Sequence, residues 1–254
     1  MINISNLSFS YTDKNVLKDI SLHIQEGDFC ALMGLNGSGK TTLLMLITRL
    51  LAEFSGNIKI HNKNIAEYTH KALAQQIAFV PQREEIIFDF SVYDTVMMGR
   101  NPYQSRWTGE SIEDKRIVEE VLANCRLSSL RNRMLTQLSG GEMQRTLIAR
   151  AMAQQTPVLL LDEPLSNLDI IHKFEIMDIL KKLNFSQKTT ILIILHDFSF
   201  AKQYTLKTIL LKEGSKTHDG KTEEILTPEI IKQVFDLHNG YIIDLYGNVR
   251  KMEG

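Results

Sequence analysis

Apolar and polar residues alternate at the start of the chain, with Ile2, Ile4, Leu7 and Phe9 spaced as on a strand buried along one face. The stretch FCALMGL, from Phe29, is nearly continuous in apolar character instead, which predicts a strand covered on both faces. It runs into a glycine-rich loop, after which Leu43, Leu44, Ile47, Leu50 and Leu51 fall at helical spacing. Strand, glycine loop, helix is the predicted order. Ser55-Gly56 predicts a turn before the alternating NIKI, and QQIAFV predicts a strand ended by Pro81. From about Phe88 to Gln155 the period changes, and SVYDTVMMGR, SIEDKRIVEEVLANC and GGEMQRTLIARAMAQQ read as helices. The expected organisation is an α/β core over 1–87 and 156–254 with a helical subdomain inserted over 88–155. The β/α alternation resumes with PVLLLD, a helix from Asp169 to Leu183, TTILIIL, a short helix from Ser199, and TLKTILLKEG. Thr227-Pro228 then offers an N-cap and a first-turn proline for PEIIKQVFDL.

Composition narrows the function classes. Lys and Arg number 29 against 30 Asp and Glu, a net charge of -1, so no positive field awaits a polyphosphate backbone and nucleic acid is not an expected partner. Cys30 and Cys125 stand far apart within expected secondary structure and read as reduced thiols. The start lacks a basic segment followed by an apolar one, and no apolar run approaches the ~18 residues that span a bilayer. The chain is expected neither to be exported nor to cross a membrane by itself.

The loop GLNGSGKT, Gly34 to Thr41, fits G-x-x-x-x-G-K-[ST]. Glycines allow several backbone N–H groups to face one anion, and the helix that follows adds its dipole. Lys40 is expected to reach the β- and γ-phosphates and the Thr41 hydroxyl to ligate Mg²⁺; the alternative is a βα turn that binds nothing. PVLLLDEP places two carboxylates at the end of a buried strand. Asp162 is expected to hold Mg²⁺ through its water shell and Glu163 to polarise the attacking water, rather than both merely ending a strand. His196 follows TTILIIL, which puts it at the sheet edge of Lys40 and Asp162 if the strands are parallel. Otherwise it is structural.

A second glycine loop, LSGGEMQR, raises a separate question. Ser139 and Glu142 form a capping box for the next helix, yet Gly140 and Gly141 in the first turn cost helix stability. Glycines there let a ligand approach exposed amides, so this helix start is a second candidate phosphate site.

LSGGEMQR resembles the signature motif of ATP-binding cassette (ABC) ATPases, and the other motifs fall in that family's order over nearly the whole chain. Tyr11 in SFSY is similar to the aromatic that stacks on adenine. Gln82 in VPQ is similar to the Q-loop glutamine, SNLD to the D-loop ending in Asp169, and His196 to the switch histidine. The resemblance implies a P-loop NTPase fold, a RecA-like core with an N-terminal antiparallel β-subdomain and the inserted helical subdomain. It also implies ATP held by Tyr11, Gly34, Asn36, Gly37, Ser38, Gly39, Lys40, Thr41 and Thr42 and covered by Ser139, Gly140, Gly141 and Asp169. Mg²⁺ is then held by Thr41, Gln82 and Asp162, with Glu163, His196 and Gln82 at the chemical step. Because the signature of one subunit covers ATP in the P-loop of another, two phosphate loops per chain imply two chains.

The expected activity is ATP hydrolysis that drives transport, performed by a separate motor subunit at the cytoplasmic face of the membrane and attached to integral-membrane permease subunits. A soluble ABC protein acting on nucleic acid or ribosomes would need two cassettes or a coiled-coil insertion. A nucleotide-sensing scaffold would not need Glu163. SVYDTVMMGRNPYQSRWTGES resembles the V-x-x-G-R-x-P segment of ATPases serving importers of iron–siderophore complexes, haem, cobalamin and metal oxyanions, as does TEEILTPEIIKQVFDL. The local alternative is that Met97, Met98 and Tyr103 pack the helical subdomain and Gly99 caps a helix. The combined pattern predicts a two-plus-two importer fed by an extracytoplasmic metal-chelate-binding protein, or failing that a motor for another transporter class.

Overall fold

Strand β1 (Ile2–Tyr11) buries Ile2, Ile4, Leu7 and Phe9. The three-residue step from Ile4 to Leu7 keeps both on one face because a bulge interrupts the pairing with β2 (Lys14–Ile24), between the pairs Ile4 with Leu22 and Leu7 with Ile20. Asn6 takes φ 50 at the bulge, and its amide donates to Ser21 Oγ at 2.9 Å. Strand β3 (Phe29–Gly34) is buried along its whole length, as its apolar run predicts, and leads into helix α1 (Lys40–Ile47). Ser55 and Gly56, expected in a turn, instead belong to strand β4 (Ser55–Ile60). Gly56 is needed for close packing, since a Cβ there would lie 2.4 Å from the Asn6 carbonyl oxygen. With β5 (Lys63–Asn64) these strands form an antiparallel sheet of order β2-β1-β4-β5.

The structure, a computed structural model, describes residues 1–82, 88–104, 109–236, 241–243 and 249–251, so 105–108 and Leu237 of the two segments with importer resemblance lie outside the described residues. Two compact units are present, one of Met1–Glu67 with Thr190–Gly254 and one of Tyr68–Thr189. The second holds α2 (His70–Ala74), β6 (Ile77–Val80), α3 (Val92–Met97), α4 (Ile112–Asn124), α5 (Gly140–Ala153), β7 (Val158–Leu161) and α6 (Ile170–Gln187). Strands β6 and β7 are parallel, with Val80 opposite Leu161. Over 88–155 the described elements are helices and 3₁₀ turns, joined by a single bridge between Ser91 and Met134. Their core is Val92, Val96, Ile117, Val118, Leu122 and Ile148, each fully or almost fully buried.

The chain returns to the first unit with β8 (Thr190–Ile194), α7 (Phe198–Tyr204), β9 (Lys207–Lys212), β10 (Ser215–Lys221), α8 (Thr222–Ile225), α9 (Pro228–Val234), β11 (Tyr241–Ile243) and β12 (Val249–Lys251). Thr227 caps α9 and Pro228 opens it. Here the strand order is β10-β9-β3-β8, and β3 is parallel to both of its neighbours. Cys30 and Cys125 are buried and free, and burial pushes their thiols up, that of Cys125 to about 12. No helix among the described residues is long and apolar enough to cross a membrane.

Candidate active site

The glycine loop leaves β3 at its buried C-terminal end and closes on α1. Gly37 and Gly39 take φ 78 and 98, a region that side-chain-bearing residues rarely adopt. Lys40 is only 5% exposed, and its ammonium donates to the carbonyls of Gly34 and Leu35, each at 2.9 Å. Those bonds fold the loop around its own lysine. Helix α1 starts on Gly39, which has no side chain to cap it. The other described helices of five residues or more start on Thr69, Ser91, Ser111, Ser139, Asp169, Asp197 and Thr227, each accepting a first-turn amide.

Two further observations fit a phosphate. The Ser38 hydroxyl is buried without a hydrogen-bond partner, and the space beside Gly37 is open, with nothing within 4 Å of where a Cβ would stand. Thr41 is exposed and Thr42 buried. The loop is braced from behind by main chain and by one side chain: a Cβ at Gly34 would lie 2.1 Å from the Leu211 carbonyl oxygen, and one at Gly39 2.5 Å from Leu17 Cδ2 and 3.1 Å from the Val16 carbonyl oxygen. Gly214, in the β9–β10 turn, presses on the same Val16 oxygen, at 2.4 Å from its hypothetical Cβ, and accepts from the Lys18 amide at 2.8 Å.

His196 reaches this loop's edge of the sheet by strand register. Leu32 pairs with Ile194 in the parallel β3–β8 ladder, and the Leu195 amide donates to the Leu32 carbonyl at 3.3 Å. β3 runs two residues past this pair, to Gly34, and His196 stands two residues beyond the end of β8, so the same register brings His196 level with the start of the loop. Tyr11, at the end of β1, is 45% exposed and stands edge-to-face on Phe9, ring centroids 4.8 Å apart.

In the second unit, β6 and β7 bring Gln82, Asp162 and Glu163 to one end of their ladder. The Asp162 amide donates to the Val80 carbonyl at 2.9 Å, and Asp162 is 2% exposed. Gln82 Nε2 donates to Glu163 Oε2 at 2.6 Å, and Ser166 Oγ donates to the same oxygen at 3.1 Å. Glu163 holds φ 48, a strained conformation for a side-chain-bearing residue that costs of order 1–3 kcal/mol and clusters at functional sites. Ser166 is a contact that sequence reasoning missed; its position in SNLD, three residues after the acid, is the only signal.

The second glycine loop forms the predicted capping box. Ser139 Oγ accepts from the Glu142 amide at 3.3 Å, and the Ser139 amide donates to Glu142 Oε2 at 2.8 Å. That backbone bond is the main reason the Glu142 carboxyl is held below its ordinary range. The two glycines have different causes. A Cβ at Gly140 would meet nothing closer than Leu168 at 4.0 Å, whereas one at Gly141 would lie 2.3 Å from His172 Cδ2. Gly141 thus makes room for a neighbouring ring, a local reason invisible in the sequence. Asp169 caps α6 by accepting from the His172 amide at 2.9 Å.

Arg100, the arginine of the V-x-x-G-R-x-P segment, is buried rather than presented at the surface. It is 5% exposed, and it donates to Asp114 at 2.8 Å, to the Ala153 carbonyl at 2.8 Å and to Gln155 at 3.3 Å. Tyr103 stacks on its guanidinium at 4.1 Å. Gly99 lies in a 3₁₀ turn, and a Cβ there would lie 2.2 Å from the Arg150 carbonyl oxygen, so it serves close approach to α5 rather than a helix cap.

A family model described as ABC transporter matches residues 17–166. The chain belongs to the ABC transporter family. It is an ATP-binding cassette with a P-loop NTPase fold, and the family's activity is ATP hydrolysis. The cassette is 37% identical over 252 residues to the petrobactin import ATP-binding protein FpuC of Bacillus anthracis, covering 99% of this chain and 91% of that one. It is 35% identical over 243 residues to the iron(3+)-hydroxamate import ATP-binding protein FhuC of Bacillus subtilis, covering 96% and 90%. Among solved structures, an inward-facing ABC transporter assigned to the metal-chelate type superposes with a TM-score of 0.82 at 32% identity, covering 93% of this chain and 89% of that one.

Proposed function

We propose that this chain is the motor subunit of an importer for iron–siderophore complexes or chemically related metal chelates. The observation that carries the motor reading is the 2.6 Å bond from Gln82 to Glu163, which ties the Q-loop residue to the candidate base. In this reading the amides of the Gly34–Thr42 loop, the Ser38 hydroxyl and Lys40 bind the phosphates of ATP, and Tyr11 stacks on the adenine. Thr41, Asp162 and Gln82 would hold Mg²⁺, whose preference for one or two carboxylates plus substrate phosphates suits this donor set. When bound, Mg²⁺ offsets charge on the β- and γ-phosphates. Glu163 accepts a proton from the attacking water and His196 orients the γ-phosphate. Ser139, Gly140, Gly141 and Asp169 of a second copy complete the site.

Residues 88–155 are assigned to a helical subdomain that meets the permease at the cytoplasmic face of the membrane. Its buried Arg100 holds the V-x-x-G-R-x-P segment from within rather than touching a partner. The substrate class is supported by that segment and by the import functions named for the relatives, and it implies delivery by an extracytoplasmic binding protein. Uptake of labelled ferric siderophore, haem, cobalamin and molybdate, in cells carrying the wild-type chain or Lys40→Ala, tests it. Loss of ferric-siderophore uptake is expected. Unchanged uptake of all four, with a defect in sugar, amino-acid or lipid transport, would discard the substrate class and keep the ATPase.

A further inference from the structure

The first turns of α5 and α6 meet at one side chain, His172. Its amide is capped by Asp169, and its ring occupies the room left by the missing side chain of Gly141, with Cδ2, Cγ and Nε2 at 2.3, 2.5 and 2.8 Å from where a Cβ would stand. Nδ1 lies 3.1 Å from Arg145 Nη1 and 3.0 Å from Glu175 Oε2, and Arg145 donates directly to Glu175 at 2.8 Å. Arg145 only donates and Glu175 only accepts, so Nδ1 serves one or the other according to tautomer, while the direct Arg145–Glu175 bond satisfies the rest. Arg126 adds a second cation to Glu175 at 3.0 Å. The ring is therefore fixed by a main-chain contact and a side-chain contact on α5, and by its own cap and Glu175 on α6.

Two adjacent glycines otherwise leave the start of α5 with unusual backbone freedom. A ring pressed on Gly141 removes that freedom at the amides the nucleotide would meet. None of the roles assigned above uses this ring.

We propose that His172 is a positioning residue that fixes the spacing between Ser139–Gly141 and Leu168–Asp169, so that the signature loop and the start of α6 act on nucleotide as one rigid element. The inference rests on the shared-site reading, in which those residues serve ATP held by the other copy. A mixture of full-length Lys40→Ala and Ser139→Arg chains contains, in that reading, one working site, built from Lys40 of the Ser139→Arg chain and Ser139 of the Lys40→Ala chain.

His172→Ala is placed in either chain of the mixture, and ATP turnover is measured at saturating Mg·ATP. In the Lys40→Ala chain, which donates the signature loop, it is expected to lower turnover about 10-fold or more, because small misplacement of positioning groups is costly. In the Ser139→Arg chain it is expected to change turnover less than about twofold. His172→Asn, which keeps a polar atom near the Nδ1 position, is expected to recover most of the loss. Equal losses in the two arrangements would show a general folding role and overturn the proposal, as would no loss in either. Silence of the parental mixture overturns the shared-site reading and this inference with it; an active parental mixture isolates the failure to His172.

Discussion

Gln82 and Glu163, 81 positions apart in the chain, share a 2.6 Å hydrogen bond at the C-terminal ends of two parallel strands. Strand register explains the meeting: Val80 and Leu161 are opposite, so the residues just beyond each strand converge. With Ser166 donating to the same carboxylate oxygen, the candidate base is oriented before any substrate arrives.

Replacing Glu163 by Gln keeps this shape and removes the charge. Glu163→Gln is expected to bind Mg·ATP normally, to accumulate a nucleotide-bound dimer and to turn over about 10²-fold or more slowly. Phosphate release and size-exclusion chromatography with ATP check it; undiminished hydrolysis would remove Glu163 from its assigned role.

His196 stands beyond β8, where a structural role predicts loss of stability and a catalytic one does not. His196→Ala is expected to keep ATP affinity within about twofold while turnover falls by about 10². Nucleotide titration, steady-state hydrolysis and a thermal melt on the same preparation separate the two.

The two signature glycines should respond differently to alanine. Gly140→Ala has room and gains up to about 1 kcal/mol of helix propensity, so the fold should be as stable or more so while ATP-dependent turnover drops. Gly141→Ala drives a methyl group into the His172 ring and is expected to destabilise by about 1–3 kcal/mol. Urea unfolding of both variants beside an ATPase assay reads the contrast.

Buried Arg100 makes a prediction about pH. Desolvation raises the Asp114 pKa, but hydrogen bonds from Arg100 and Ser111 outweigh it and hold the carboxyl below its ordinary range. A depressed carboxyl contributes stability that is complete above its unfolded value and lost as pH falls through the folded one. Asp114→Asn removes the carboxylate that balances the buried guanidinium charge and is expected to cost about 3–5 kcal/mol near neutrality. That difference from wild type should stay constant at neutral pH and shrink below about pH 4. Urea midpoints measured across that range check both statements.

Much of the site was legible because its chemistry is local in sequence. A phosphate loop needs its glycines, lysine and threonine within eight positions, and the strand and helix around it carry their own periods. Features created by contacts between distant residues were not legible. The burial of Arg100 cannot be read from its own segment, because its partner Asp114 lies on the next helix. Gly141 reads as a ligand position until His172 fills the space beside it. Gly56 reads as a turn because composition cannot report that Asn6 of a neighbouring strand presses on its Cα. The β1 pattern held through a bulge because burial on one face constrains which residues are apolar, not how many lie between them.

The Val16 carbonyl, touched by Gly39 from the phosphate loop and by Gly214 from the β9–β10 turn, works as a gauge. Gly214 meets only the main chain of Val16 and Leu17 there, so its approach is set by atomic radii, while Gly39 also meets the Leu17 side chain, 2.5 Å from where its Cβ would stand. Side chains other than Leu17 can be exchanged, or can change rotamer, without entering that contact. The width of the phosphate cradle is thereby insulated from most drift in the surrounding sequence, and a new side chain at either glycine, or a bulkier one in place of Leu17, would change its calibration.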